Sequence, residues 1–365
     1  MRSSTASKWW NPIGLAVALL ALASCGGGGG GGGSAPPGSK LFVVDGGGHA
    51  IVSMINATPT VGTPISIDRV VEGSSTGLGT PVGTPSISSI PSIALDAAGD
   101  RLFAATQTSV VAFDGAGTID GNARFSRSFT ATVITDGITA RSVNFYGLSL
   151  DTTNNRLYTV DPGGEVHVFN NASTRTGTTT PDRTVTPNAG TAIIGTFGVA
   201  VDSVKDKLYV GAFPNAATPF IMVFDGASTV NTNTAPNQSL APDRTITLPG
   251  AGAFYLDQAN DRLYVAQSNG QFLVFNTPSA LTGAPSANRT ITFPVSTTQN
   301  FIFVDTTRDK LYAVNNDPGG TQSALLIVDN ASTASDTGGP TPMGIRIVLT
   351  STNNNIRLSA VAVKP

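Results

Sequence analysis

A pair of residues, leucine followed by phenylalanine or tyrosine, recurs along the chain and constrains its fold more than any other feature. The pairs begin at Leu41, Leu102, Leu157, Leu208, Leu263 and Leu311. The steps between them are therefore 61, 55, 51, 55 and 48 residues. No segment shows a sustained helical apolar period, and the apolar runs are short and bounded by turn-forming residues. The sequence predicts an all-β chain built from a repeated unit, with almost no helix.

Each repeat contains four short strand candidates in the same order. The first ends in aspartate, and the second carries the Leu-Tyr pair after a turn rich in Asn, Asp and Thr. The third is an apolar run, and the fourth places an arginine among threonine and aliphatic residues. Four strands in a period of about 40–55 residues are typical of the blades of a β-propeller.

The two ends of the chain are out of phase with this repeat. The repeat region begins with a second-type strand at 41–44 and finishes with a first-type strand at 358–363. Pairing of these strands would complete one blade from both ends and remove the open sheet edges. We therefore predict that residues 40–365 form a six-bladed β-propeller of four-stranded antiparallel blades, closed by pairing of the C-terminal strand with the N-terminal blade.

The charged residues that recur in the repeat are interpreted as parts of the blade. The first-strand aspartates are expected to cap the following turn or to pair with the basic residue that opens the second strand. The alternative is a ring of carboxylates that binds a metal. The fourth-strand arginines are expected to discourage edge-to-edge pairing. The aspartates are Asp96, Asp151, Asp202, Asp257 and Asp305, and the arginines are Arg69, Arg127, Arg183, Arg244, Arg289 and Arg346.

The first 39 residues carry the features of an export signal and a tether. A ten-residue apolar run at 13–22 follows Arg2 and Lys8, which suits a signal peptide and is too short to span a bilayer. The sequence Leu-Ala-Ser-Cys at 22–25 resembles the lipobox of bacterial lipoproteins. This resemblance implies a signal peptide over 1–24 and lipidation of Cys25; the alternative is an ordinary signal peptide with a chance cysteine. Residues 25–39, with eight consecutive glycines, predict a flexible tether.

Composition excludes several classes of function. The chain has one cysteine and two histidines, so neither an internal disulfide framework nor a Cys/His zinc cluster of the usual spacing is available. The formal net charge is −2, which provides no basic footprint for nucleic acid. Phosphate-loop, nucleophile-elbow and His-Glu-x-x-His motifs are absent from the sequence.

Three segments of one repeat resemble propellers with NHL-type and YVTN-type repeats. They are Gly-Val-Ala-Val-Asp at 198–202, Lys-Leu-Tyr-Val at 207–210 and Met-Val-Phe-Asp at 222–225. The resemblance implies the six-bladed architecture over about residues 40–365. Some members of this broad class bind proteins, peptides or polymers. Related gluconolactonase-like propellers hydrolyse lactones with a divalent metal in the central channel.

Residues that break the repeat are the candidates for a binding site. Glu165 and His167 stand two residues apart on a predicted strand, so their side chains project from one face, and Asp161 opens the preceding turn. Such a Glu–His pair can act as a general base or hold a metal; the alternative is a buried, hydrogen-bonded histidine beside a solvated glutamate. The remaining candidates for this channel-mouth face are Asp45, His49, Asn315 and Asn316.

Two functions remain open at this point. The first is a non-enzymatic lipoprotein of the cell envelope whose propeller binds a protein, peptide or glycan and needs no cofactor. Gly26 after the cysteine resembles the sorting pattern for the outer membrane, so that membrane is the expected location. The second is a metal-dependent hydrolase of the lactonase type with its site in the central channel, using a divalent metal such as calcium.

Overall fold

A computed structural model describes most of the chain from residue 40 onwards, together with one short upstream strand. The described ranges are 16–20, 40–45, 49–55, 66–79, 92–134, 139–215, 218–233, 238–292, 299–316, 323–335, 344–350 and 358–364. Most of the predicted signal peptide and the whole of the tether, including Cys25, lie outside them. Within these ranges, no helix is long and apolar enough to cross a bilayer.

Six antiparallel sheets, named blades 1 to 6 in ring order, form the molecule. We call the four strands of each blade inner, second, third and outer. In that order, blade 1 consists of Leu358–Lys364, Lys40–Asp45, Ala50–Ile55 and Ser66–Val71; blade 2 of Ser92–Asp96, Arg101–Ala105, Val110–Asp114 and Arg127–Ile134; blade 3 of Gly147–Asp151, Arg156–Val160, Val166–Asn170 and Arg183–Val185; blade 4 of Ile193–Asp202, Lys207–Pro214, Phe220–Asp225 and Arg244–Thr247; blade 5 of Ala251–Asp257, Arg262–Gln267, Gln271–Asn276 and Arg289–Thr292; and blade 6 of Gln299–Asp305, Lys310–Asn316, Ser323–Asp329 and Gly344–Thr350.

Three further strands extend the outer edges of these blades. Ala16–Leu20, from the apolar run, pairs antiparallel with the outer strand of blade 6. Ala140–Ser142 pairs antiparallel with the outer strand of blade 2, and Gly177–Thr179 pairs parallel with it. The helical content of the described residues is one 3-10 turn, Pro278–Ala280, which confirms the prediction of an all-β chain.

The ring is closed by the C-terminal strand, as the phase of the repeat predicts. Leu358–Lys364 pairs antiparallel with Lys40–Asp45 and so becomes the inner strand of blade 1. Each inner strand also contacts the inner strand of the next blade, and the inner strand of blade 6 contacts that of blade 1. The prediction of six four-stranded blades is confirmed.

The Leu-Tyr pair recurs because the second strand of each blade packs one of its sides against each of the two neighbouring blades. Successive side chains of a strand point to opposite faces. Leu208 therefore packs in the cluster between blades 3 and 4, whereas Tyr209 packs in the cluster between blades 4 and 5. Leu311 and Tyr312 divide in the same way between the two interfaces of blade 6. The pair thus supplies one large buried side chain to each interface of its blade.

Each blade exposes two kinds of connection at opposite faces of the ring. The inner and second strands join at one face, which we call the turn face. The second and third strands join at the other, which we call the hairpin face, together with the connections from each outer strand to the next inner strand.

The recurring aspartates cap the turns of the turn face. For example, Asp96 Oδ1 accepts the Gly99 N–H at 2.8 Å, and Asp202 Oδ1 accepts the N–H of Lys205 at 2.9 Å. Asp151, Asp257 and Asp305 accept equivalent N–H groups. The capping interpretation is confirmed, and each carboxylate is occupied within its own turn.

A second polar residue fastens the same turn to the end of the third strand. Asp206 has a φ of 53°, a left-handed conformation that asparagine and aspartate tolerate. Its side chain accepts the Ser228 N–H at 2.6 Å and the Ser228 hydroxyl at 2.8 Å. Asp309 holds Ser332 in the same way. These hydrogen bonds explain the recurring Asn or Asp before the second strand and the Ala-Ser-Thr turns after the third strand.

Three of the outer-strand arginines make contacts between blades that the sequence did not predict. Arg183 donates to the carbonyl oxygens of Ala227 at 2.7 Å and Val230 at 3.1 Å, both in blade 4. Arg289 of blade 5 donates to equivalent carbonyls of blade 6, and Arg69 of blade 1 donates to blade 2. These three arginines connect neighbouring blades through hydrogen bonds.

Candidate functional site

The hairpin between the second and third strands of blade 3 is built around Asp161. Its Oδ1 atom accepts the N–H groups of Gly163 at 3.0 Å and Glu165 at 2.9 Å, which fixes the tight Asp-Pro-Gly-Gly turn. Gly164 has a φ of 88°, and a Cβ atom there would lie 2.9 Å from Ile193 of blade 4. The turn therefore requires glycine, and it leaves Asp161 Oδ2 free of the hairpin backbone.

Glu165 and His167 follow this turn on the same side of the third strand. His167 is paired in register with Thr159 of the second strand and Thr184 of the outer strand. Phe169 continues this side and packs on Phe129 of blade 2, with ring centroids 5.1 Å apart. Glu165 and His167 therefore face blade 2 and lie behind the inner strands that surround the channel.

Arg141 reaches this pair from blade 2. It belongs to the short strand Ala140–Ser142, where it pairs in register with Val133. Its guanidinium contacts Glu165 Oε2 and lies 3.3 Å from Asp161 Oδ2. Two carboxylates of blade 3 thus share one cation from the neighbouring blade.

Hydroxyl groups hold the other polar atoms of the cluster. Thr186 donates to Glu165 Oε1 at 2.7 Å, and the Thr184 hydroxyl lies 3.3 Å from His167 Nδ1. His167 Nε2 faces Glu165 Oε2 at 3.7 Å, which is too long for a hydrogen bond, and this buried nitrogen has no hydrogen-bond partner.

Burial dominates the electrostatics of the cluster. His167 has no exposed surface, and Asp161 and Glu165 are 6% and 7% exposed. Burial, together with the charge of Arg141, lowers the pKa of His167 to about 3, so its imidazole is neutral at ordinary pH. Burial raises the pKa of Asp161, although Arg141 and the hairpin N–H groups oppose this shift.

The other predicted site residues lie elsewhere on the hairpin face. His49 is in the second-to-third connection of blade 1, where its Nδ1 lies 3.0 Å from the carbonyl oxygen of Leu78. Asp45 ends the second strand of blade 1 and is paired in register with Ala50. Asn315 and Asn316 end the second strand of blade 6. The structure thus brings together Asp161, Glu165 and His167 and leaves the other four in blades 1 and 6.

Exposed apolar side chains lie in three segments that adjoin the same hairpin. Ile134 ends the outer strand of blade 2, and Tyr146, whose N–H donates to the Val160 carbonyl, precedes the inner strand of blade 3. Ile194 lies beside the Ile193 that packs on Gly164 and is 67% exposed. These three belong to the five exposed large hydrophobic residues of the described chain. We call Ile134, Tyr146 and Ile194 the apolar rim.

Sequence reasoning missed Arg141 and the apolar rim. Arg141 occupies none of the recurring arginine positions, since it lies between the outer strand of blade 2 and the inner strand of blade 3. That departure from the repeat was the one available signal. Its contact with residues 161 and 165 depends on how two blades pack, which periodicity does not specify.

Comparison with known proteins adds little to this description. No family model matches the chain, and no curated protein matches its sequence. Among solved structures, the chain is similar to the β-propeller domain of Cps50 (Swd1) from Myceliophteria thermophila, with 14% identity. The match covers 69% of this chain and 70% of that chain, with a TM-score of 0.42. At this level the similarity carries no argument about function, and the architecture rests on the strand pairing described above.

Proposed function

We propose that this chain is a lipid-anchored protein of the bacterial cell envelope whose β-propeller is a binding module. The apolar rim carries this proposal, because three of the five exposed large hydrophobic residues of the described chain lie in segments that adjoin one hairpin, whereas most apolar side chains of the described blades are buried. Clustered exposed apolar residues mark interaction sites on soluble domains. Two of the three are aliphatic, which favours a protein or peptide ligand over a glycan.

The recurring polar residues support a binding role over catalysis. The repeated aspartates are occupied by backbone N–H groups of their own turns, and several repeated arginines bond neighbouring blades. The repeat therefore supplies a scaffold, and the departures from it supply the surface.

Membrane attachment is proposed from the sequence alone. Its support is the Leu-Ala-Ser-Cys motif at 22–25 and the glycine-rich segment that follows. Cleavage before Cys25 would remove the strand Ala16–Leu20 from the edge of blade 6. Metabolic labelling with a palmitate analogue tests this part. The wild-type chain should incorporate label and Cys25→Ser should not, whereas equal labelling of both would contradict it.

Binding at the apolar rim is tested by photocrosslinking in cells that express the chain. A photoreactive benzoylphenylalanine replaces Tyr146 in one protein and Val204 in the other. Val204 is the matched control, since it is 80% exposed and lies in the inner-to-second turn of blade 4, on the turn face. We expect a discrete protein adduct from position 146 alone, and its loss when Ile194→Asp is added. Equal adducts from both positions would contradict the proposal, and competition by envelope glycans would change the ligand class.

The hydrolase alternative requires acids and amides from several blades to meet in the central channel. The described candidates do not meet there, because Asp161 and Glu165 lie between blades 2 and 3, and Asn315 belongs to blade 6. No observation favours this alternative. Turnover of a lactone panel by the purified protein, abolished when a chelator removes divalent metal, would support it against the binding module.

A further inference from the structure

Asp161, Glu165 and His167 form a compact set of donor atoms that the binding role does not use. One donor atom from each residue lies within 4.8 Å of the other two. They are the one such group of three His, Cys, Asp or Glu residues that the described part of the chain contains. Ligands that surround a zinc ion lie about 2.0–2.2 Å from the metal, so donors at these separations need only small movements to share one ion.

Each of the three side chains is oriented by a hydrogen bond through its other polar atom. Asp161 Oδ1 accepts two hairpin N–H groups, and Thr186 donates to Glu165 Oε1. The Thr184 hydroxyl lies beside His167 Nδ1. The remaining polar atoms are Asp161 Oδ2, Glu165 Oε2 and His167 Nε2. The two carboxylate oxygens face Arg141, and His167 Nε2 faces Glu165 Oε2. Metal-ligating histidines and carboxylates are held in place by such outer contacts.

The unpartnered nitrogen of His167 is a second, independent observation. A buried polar atom without a partner carries a desolvation cost, and native structures satisfy nearly all such atoms. The equivalent third-strand positions in blades 2, 4 and 6 hold Val111, Met222 and Leu326, so the fold has no need of a histidine here. A ligand for Nε2 removes the cost.

Arg141 holds the position that such a ligand would take. Its guanidinium contacts both carboxylates, and its side chain is 38% exposed, so it can turn outwards into solvent. A divalent cation would replace its single charge with two. Arg141 and the metal ion therefore compete for the same position beside the two carboxylates.

We propose that Asp161, Glu165 and His167 bind a divalent transition metal of the zinc type, and that Arg141 occupies the site in its absence. The imidazole selects against calcium and magnesium, which prefer oxygen ligands, and carboxylates with imidazole suit zinc. Three protein ligands leave a coordination position open to water or to a group of a bound partner. This inference is independent of the proposed binding function.

Measurement of zinc affinity tests the proposal. The sample is the full-length chain, purified in detergent, freed of tags and treated with chelator. A competition titration against a chromogenic chelator should show one zinc ion per chain. His167→Gln and Glu165→Gln should each weaken binding by at least about 100-fold. Arg141→Gln should tighten it by about tenfold, because the competing cation is gone. His49→Gln is the matched control and should leave the affinity unchanged.

The Arg141→Gln variant keeps the test decisive, since a loss of folding would not increase the affinity for zinc. Cobalt in place of zinc gives a second readout, a visible absorption that His167→Gln should abolish and His49→Gln should preserve. Absence of stoichiometric zinc binding, equal affinity of wild type and His167→Gln, or weaker binding by Arg141→Gln would each overturn the proposal.

Discussion

Removal of the Arg183 side chain is the sharpest test of how the blades are held together. This arginine lies on the outer strand of blade 3, and its guanidinium bonds two carbonyl oxygens in the turn that follows the third strand of blade 4. Arg244 occupies the corresponding position in blade 4, yet it pairs with Asp225 of its own blade, whose side chain is 46% exposed. The two arginines differ in partner and not in position.

The expected loss of stability follows from these partners. Hydrogen bonds to a charged donor contribute about 1.5–3 kcal/mol each, and water can partly solvate the freed carbonyls of a half-buried site. Arg183→Ala should therefore lower the free energy of unfolding by about 2–4 kcal/mol. Arg244→Ala removes an exposed ion pair and should cost about 1 kcal/mol or less.

Equilibrium unfolding in urea, followed by far-ultraviolet circular dichroism, measures both values. Arg183→Lys is included because it keeps the positive charge and loses the planar donor pair, so it should recover less than half of the loss. If protection of the sheet edge by charge were the main role, Arg183→Lys would match wild type. Equal small effects of Arg183→Ala and Arg244→Ala would refute the inter-blade role.

Three further predictions concern packing, pH and closure. Gly211→Ala should cost about 1–3 kcal/mol in the same assay, since its Cβ would lie 2.5 Å from the Phe197 ring, and Phe197→Leu in that background should recover part of the loss. Hydrogen bonding to Lys207, together with the contact to Arg244, lowers the pKa of Asp225 from its ordinary value of 3.8, so its stabilisation is fully present above pH 3.8 and is lost as the pH falls through the lowered pKa. The urea midpoints of wild type and Asp225→Asn should therefore differ at pH 6 and approach each other as the pH falls below 3.8, with a smaller difference at high salt. Val361→Asp should cost about 3 kcal/mol or more, because it buries an unpaired charge in the strand that closes the ring, and soluble protein that unfolds at the wild-type urea concentration would contradict that role.

The architecture was predictable because every unit repeats the same local signals. Alternation along a strand places Leu208 and Tyr209 on opposite faces, so a repeated Leu-Tyr pair requires a neighbour on both sides. The phase difference between the two ends then determines how the ring closes. The hydrogen bonds of Asp206 and Asp309 to the turns after the third strands were not predictable in the same way, because each joins residues more than 20 positions apart.

The candidate site was predictable only within one strand. A period of two placed Glu165 and His167 on one side, and the turn sequence placed Asp161 beside them. Arg141 comes from another blade and reaches residues 161 and 165 through packing that no local pattern encodes. The four remaining candidates were chosen by face alone, and residues that share a face of a ring lie in different blades.

The location of the unusual residues argues that this cluster is kept for something other than stability. Burying two carboxylates and a histidine beside one arginine is weak evidence for stability, since apolar residues of similar volume are often at least as stabilising. Blades 2, 4 and 6 show that solution, with buried Val111, Met222 and Leu326 at the position of His167. Blade 3 departs from it at the hairpin that the segments of the apolar rim adjoin. A polar cluster that the fold does not require, next to an exposed surface that the fold does not bury, supports the proposal that this part of the hairpin face binds a ligand.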